Sequence, residues 1–275
     1  MPEASGSERR PPAPESPAPE SAAASEAAPP EASAASEAVP GEATTERVRG
    51  IFAGIADQYD LFNALSSFGI DRHWRSEAVK AARLTPDSRV LDLCAGTCDL
   101  ALALARKGRP AEVVASDFVA EMLAVGQRKA AETADSYAPT TMSFTLADAQ
   151  DLPFPDESFD VATGAFGVRN LPDRSANFRE VLRVLKPGGR YVILEFSRPP
   201  FGPWRSLYHA YLGTAIPAIG GVLTHDRASF QYLNDSIRRF PTQPALAAEL
   251  RAAGFSAVSW RNLTGGIVAI HTAVK

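Results

Sequence analysis

Cysteine is nearly absent from this chain of 275 residues, which holds two, Cys94 and Cys98. Two thiols cannot build a disulfide framework, and no Cys/His pairs stand at zinc spacing, so a reducing, cytoplasmic setting is expected and no metal. Long apolar runs are missing as well. A membrane span needs roughly 20 apolar residues and an export signal about 7 to 15 near the start. Neither is found, so the expectation is a soluble protein that touches a membrane from outside if at all. Basic charge is not in excess: 28 Lys and Arg stand against 32 Asp and Glu, a net of −4. Nothing in that balance suggests a nucleic-acid partner.

Residues 1 to 45 lack bulky apolar side chains almost entirely and consist mainly of Ala, Pro, Glu and Ser. Such a composition cannot offset the entropy of ordering, so a disordered tail is expected. The tail carries eight Glu against Arg9 and Arg10, a net of −6, which leaves residues 46 to 275 at +2.

From Ser88 onward short apolar runs alternate with helical patterns. RVLDLCA (89 to 95), EVVASD (112 to 117), MSFTLAD (142 to 148), FDVATGAFG (159 to 167) and RYVILEFS (190 to 197) read as strands. CDLALALARKG (98 to 108), VAEMLAVGQRKAAE (119 to 132) and SANFREVLRVLKPGG (175 to 189) read as helices, the last stopped by Pro187 and two glycines. This rhythm predicts an α/β fold, Rossmann-like, with a largely parallel sheet and helices on both faces. In such sheets ligands bind at the carboxyl ends of the strands.

The residues with chemistry gather at those ends. The first loop lacks the G-x-G-x-x-G that admits a pyrophosphate. It offers instead Asp92, Gly96, Thr97 and Asp99, an acidic turn suited to a ligand with cationic groups. Asp117 at the second strand end suits a ribose diol. Asp148 after the third could accept from an exocyclic amine, with Ala149 offering its N–H to a ring nitrogen. Together these describe S-adenosylmethionine, zwitterionic at its amino-acid end, positive at sulfur and free of phosphate.

The chain resembles the class I methyltransferases, and more narrowly the C-methyltransferases of menaquinone and ubiquinone biosynthesis. The resemblance spans about residues 46 to 275 and rests on FAGIADQYDLFNALSSFGIDRHWR (52 to 75), LDLCAGTCDLA, DAQDLPFPDESFD (148 to 160), AFGVRNLPD (165 to 173), VLKPGGRYVILEFS (184 to 197) and NLTGGIVAIH (262 to 271). It implies methyl transfer from S-adenosylmethionine to a ring carbon of a polyprenyl quinol, demethylmenaquinol in the first instance. The benzoquinol precursor of ubiquinone, another lipid acceptor, or a cofactor-binding protein without turnover are the alternatives. Two departures stand out. Cys98 occupies a usual glycine position and could crowd the methionine end of the cofactor, and Ala165, in the cofactor set, stands where a serine is often found.

Within the resemblance, residues 46 to 85 and 199 to 240 form a helical lid, an apolar slot open to the bilayer in which each buried CH₂ of a prenyl tail is worth roughly 0.8 kcal/mol. Gly and Pro are expected to break residues 201 to 240 into short pieces. Arg169 and Asn170 would meet the acceptor, Arg169 stabilising a phenolate or polarising a water; its structural alternative is a salt bridge to Asp173 or Glu180. Among the histidines, His225 is the first candidate for a base. Tyr59 could bond the second quinol oxygen.

Overall fold

The computed structural model describes residues 45–56, 58–223 and 227–275, with side chains throughout these except at 45, 47, 62 and 215–231. The expected disordered tail therefore lies outside the described residues, and so does His225.

Three helices lead in, α1 (Thr45–Ile55), α2 (Tyr59–Ser66) and α3 (Asp71–Ala82). There follow β1 (Arg89–Leu93), α4 (Asp99–Ala103), β2 (Glu112–Asp117), α5 (Ala120–Glu132), β3 (Thr141–Leu146), β4 (Phe159–Ala165), α6 (Arg174–Val184) and β5 (Leu185–Phe196). The chain closes with α7 (Gly202–Leu223), α8 (Arg227–Arg239), α9 (Gln243–Ala252), β6 (Ser256–Leu263) and β7 (Val268–Val274). Seven strands make one sheet in the order β3-β2-β1-β4-β5-β7-β6. Pairing is parallel from β3 through β5, and β7 joins antiparallel to β5 and β6.

The central strands are buried on both faces, which is why they read as continuous apolar runs. Val90, Val192 and Leu194 pack with Trp74 and Ala78 of α3, while Leu91, Leu93, Tyr191 and Ile193 pack with Phe178 and Val181 of α6. The order reverses between β1 and β4, so the crevice of the fold opens above those two strands.

Four expectations change. The helix expected to stop at Pro187 ends earlier, at Val184, and Lys186 to Gly189 form a bulge at the start of β5, between the pairs Phe159↔Leu185 and Val161↔Arg190. Pro187 disfavours helical geometry in the residue before it, so the break falls upstream of the glycines. The helix of residues 98 to 108 is α-helical only as α4 and continues as one wide turn, Leu104–Gly108, with π-type bonding. Asp148 stands past the end of β3, in an isolated bridge to Asp151. Residues 202–223, expected to be fragmented by Gly213, Pro217 and Gly220, run as a single helix. Burial of Tyr208 and Leu212 against Ile237 of α8 outweighs the local breakers.

Candidate functional site

The tip of β1 turns sharply. Cys94, Gly96 and Cys98 all take left-handed backbone, φ 51°, 54° and 65°, and Phe166 beyond β4 does the same at 59°. Left-handed non-glycine residues are uncommon and collect where a fold holds a ligand. Both cysteines fit because a glycine faces each. A Cβ on Gly126 of α5 would lie 2.3 Å from Cys98 Sγ, and one on Gly167 would lie 2.2 Å from Cys94 Cβ. Cys98 thus places its sulfur in the hollow over α5, fully buried, and does not line the chambers around the loop. Burial raises both thiols well above their usual range, so both are inert neutral groups.

Two narrow chambers flank the turn. One is lined by Asp92, Cys94, Ala95, Gly96, Thr97, Asp99, Arg75, Tyr59 and Ala165. The other is lined by Asp117, Phe118, Val119 and Met122 on one side and Val48, Phe52 and Asn170 on the other. They share Tyr59, Cys94, Gly96 and Ala165 and so form one continuous groove across the tips of β1, β2 and β4. Val48 and Phe52 of α1 border the second chamber, of about 50 Å³, and Tyr59 of α2 and Arg75 of α3 border the first, of about 30 Å³.

Asp92 lies opposite Thr163 in the β1–β4 register, and the Thr163 hydroxyl donates to its Oδ1 at 2.6 Å. Its other oxygen, Oδ2, is buried without a partner. Burial pushes the Asp92 carboxyl up to about 7, against the opposing pull of Thr163 and of nearby Arg75. Asp117 accepts from Gly96 N–H at 2.8 Å and from Val119 N–H at 2.9 Å, so its carboxylate braces the β1 loop while it faces the second chamber. Thr97 donates to Asp60 of α2 at 2.5 Å, tying the lid to the loop. Asp148 directs its oxygens to Gln150 and Ala149 gives its carbonyl to Asn177, and neither lines the groove. All three carboxylates, Asp92, Asp117 and Asp148, nonetheless act electrostatically on the one Cys94 thiol.

Beside the groove lies a much larger cavity, about 430 Å³, walled by Ile51, Ile55, Phe68, Trp74, Tyr211 and Ile237 among others. Tyr59 and Phe166 belong to both spaces. In the wall sits a buried pair: Arg169 Nη1 donates to Glu195 Oε1 at 3.0 Å and to the Phe166 carbonyl, and Arg169 N–H donates to Glu195 Oε2 at 3.2 Å. The salt bridge weighed as the structural alternative for Arg169 is made to Glu195 and not to Asp173 or Glu180. Asp173 caps α6 through Ala176 N–H, and Glu180 pairs with Arg183. Burial raises the Glu195 carboxyl while Arg169 opposes the shift. Asn170 accepts from Tyr232 at 3.2 Å at the boundary of groove and cavity. Burial also raises the Tyr59 phenol, so it is a neutral donor.

No described histidine lines this cavity: His73 is exposed, His209 faces Arg198, Arg205 and Arg238, and His271 bonds the Gln243 carbonyl. Asp71 is the only carboxylate among the described lining residues, held by Ser67 Oγ at 2.9 Å and Arg75 Nη1 at 2.6 Å. Asp71, Arg75 and Glu195 are site residues that sequence reasoning does not single out. An i,i+4 acid–base pair opening α3 and a glutamate inside the apolar run of β5 are the available signals.

The groove suits a zwitterionic adenosyl ligand by its donor set: an orphaned carboxylate oxygen at Asp92, a second carboxylate at Asp117, and apolar Val119 and Met122 for a flat ring. Among the described residues no group of three or more His, Cys, Asp or Glu is placed to hold a metal ion, and no helix is long and apolar enough to cross a membrane.

A sequence model of the ubiE/COQ5 methyltransferase family matches residues 41–275. A demethylmenaquinone methyltransferase of Streptomyces avermitilis is 44% identical over 83% of this chain and 94% of its own. The ubiquinone/menaquinone biosynthesis C-methyltransferase UbiE of Proteus mirabilis is 42% identical over 83% and 90%. Among solved structures, a SAM-dependent methyltransferase of Thermotoga maritima superposes with TM-score 0.57 at 18% identity, over 82% of this chain and 98% of its own. A phosphoethanolamine N-methyltransferase of Haemonchus contortus, solved with S-adenosylhomocysteine, gives 0.53 at 16%, over 71% and 50%. These two likenesses speak to the fold.

Proposed function

The chain belongs to the ubiE/COQ5 methyltransferase family, an S-adenosylmethionine-dependent enzyme of quinone biosynthesis, and on that premise we propose that it methylates a ring carbon of a polyprenyl quinol, demethylmenaquinol to menaquinol. The observation that carries the reading is the apolar cavity of about 430 Å³ meeting the cofactor groove at Tyr59 and Phe166. It lies within the usual range of about 300 to 1,000 Å³ for small-molecule sites. The benzoquinol precursor of ubiquinone is the second reading, favoured by the likeness to the UbiE protein of Proteus mirabilis.

When bound, the cofactor supplies an electrophilic methyl on a sulfonium. The residues of this chain prepare the nucleophile. A quinol carbon attacks well only when its neighbouring hydroxyl has lost its proton, and Arg169, fixed by Glu195 and stacked 5.4 Å over Phe196, stabilises the phenolate from the wall. Asp71 is the lining carboxylate we assign to take that proton. After the methyl has joined the ring carbon, that carbon loses its hydrogen as a proton, which restores the aromatic ring while the hydroxyl is re-formed. Tyr59 and Asn170, at the join of the two spaces, orient the ring. The apolar walls exclude water, which strengthens each of these interactions and suits a reaction in which opposite charges cancel. Asp92, Gly96, Thr97 and Asp117 hold the donor.

A peripheral membrane position is supported by the cavity rim. Phe68, Ile70 and Leu207 line the opening and are 78%, 40% and 60% exposed, and Leu61 and Leu65 of the neighbouring α2 are 53% and 46% exposed. Exposed Arg72 and Arg205 flank them. Vesicle flotation with anionic lipid should retain the wild-type chain and lose Leu65→Ser; equal retention of both would remove this placement.

The reaction is tested with the full chain, S-adenosylmethionine and a short-chain demethylmenaquinol kept reduced, followed by mass spectrometry. A gain of one methyl on the quinol and none on the oxidised quinone is expected. Equal methylation of both forms would overturn the mechanism.

A further inference from the structure

We infer that Thr264 is a positioning residue for the acceptor: by pinning Trp74 it sets an aromatic seat, Trp74 with Phe166 and Phe196, against which the flat ring of the quinol rests. The inference deepens the acceptor reading above and depends on it. It brings in a turn from the far end of the chain.

The turn between β6 and β7 holds three successive left-handed residues, Thr264, Gly265 and Gly266, at φ 47°, 65° and 93°. Glycine adopts that backbone freely, whereas a β-branched residue there is an outlier. Threonine at the first position therefore carries strain that a third glycine would avoid. Its hydroxyl supplies the reason. The Trp74 indole N–H on α3, 190 residues upstream, donates to Thr264 Oγ1 at 2.8 Å. Trp74 is buried, and a buried donor stripped of its acceptor is costly. The two glycines serve the opposite wall: a Cβ on Gly265 would lie 2.6 Å from Trp204 Nε1 of α7, and one on Gly266 would lie 2.7 Å from Pro200 Cδ. Trp204 in turn donates to the Thr264 carbonyl at 3.4 Å. One turn thus fixes indoles from two walls of the cavity.

The acceptor space is what these indoles border. Thr264, Trp74, Trp204, Phe166 and Phe196 all line the cavity of about 430 Å³. The Trp74 ring lies 6.1 Å from Phe166 and 6.4 Å from Phe196, and those two rings are 4.8 Å apart. Arg169 stands 5.4 Å over Phe196, so the cation that stabilises the phenolate rests on the same cluster. Aromatic contacts depend on the mutual orientation of the rings. An indole released from Thr264 can turn, and the surface offered to a planar acceptor turns with it. Thr264 itself is exposed, so its own packing adds little to stability. Its strained backbone is retained for the orientation of Trp74.

The test compares Thr264→Ala with Thr264→Ser, which both remove the β-branch and differ from each other only by the hydroxyl. The full chain is assayed with S-adenosylmethionine and a short-chain demethylmenaquinol kept reduced. Thr264→Ala should lower kcat/KM for the quinol at least about fivefold, the effect of one lost hydrogen bond, and chiefly by raising its KM. Thr264→Ser should restore the wild-type value. Calorimetry should give both variants the wild-type affinity for S-adenosylhomocysteine. An unchanged kcat/KM in Thr264→Ala, or a Thr264→Ser variant as impaired as Thr264→Ala, would overturn the assignment. So would a matching loss of S-adenosylhomocysteine affinity, the mark of a general loosening. If Thr264→Ala does not fold, Thr264→Gly takes its place with the same outcomes, since glycine suits the left-handed backbone. Absence of quinol turnover in the wild-type chain would instead remove the acceptor reading on which the inference stands.

Discussion

The cofactor groove and the acceptor cavity are built on opposite plans. The groove is a set of turns at strand ends, tight and polar, in which each backbone twist is answered by a neighbour, as Cys98 is by Gly126. The cavity is walled by α1, α2 and α3, by the loop after β4 and by α7 and α8, and it is spacious and apolar with two buried ion pairs, Arg169–Glu195 and Asp71–Arg75. One region is specified by local sequence and the other by packing between distant segments. A change in the groove should therefore act on the donor and spare the acceptor, and a change in the wall should do the reverse.

The largest effect sharpens that contrast at its exception. Removing Glu195 strands the buried Arg169 charge, so Glu195→Ala should cost about 3–5 kcal/mol in urea denaturation. Next is the pH response of the groove. Asp92 is raised to about 7 when folded, so the ligand-free native state binds its proton more tightly than the unfolded chain does. Its contribution falls as pH rises from about 4 toward 7, on the order of 4 kcal/mol across the window. Asp92→Asn should lose that slope, visible as a smaller drop in stability between pH 4 and 7 than in the wild type.

Asp117→Ala should weaken donor binding by about 1.5 to 3 kcal/mol in calorimetry and leave the acceptor KM unchanged. A matching rise in the acceptor KM would dissolve the separation of the two regions. Gly126→Ala drives a methyl into Cys98 and should cost about 1–3 kcal/mol, most of it recovered in the double variant with Cys98→Gly. The smallest effect belongs to the rim: Phe68→Ser should alter stability by no more than about 0.5 kcal/mol, since the side chain is 78% exposed, while raising KM for long-tailed quinols.

The same contrast governs which parts of the molecule are legible in its amino-acid order. Strand ends are punctuated by the chain itself, so spacing alone places Asp92, Gly96, Thr97 and Asp117, and the α/β order follows from alternating runs. Asp148 falls one step outside the groove that spacing assigns it, because β3 stops at Leu146. Arg75, Asp71 and Glu195 escape such reading, because each gains its meaning from a partner or chamber distant in sequence. Arg169 finds Glu195, 26 residues on, in place of a neighbour within eleven positions. Helix α7 defies its local signals because glycines and a proline weigh less than the buried face of Tyr208 and Leu212.

Phe52 and Tyr59 border the groove and the cavity alike, beneath one helical arm. A seated quinol and a bound donor would therefore rest against the same two rings. Occupancy of one space should then be felt in the other, and calorimetric titration of the donor with and without the quinol would show a shifted affinity.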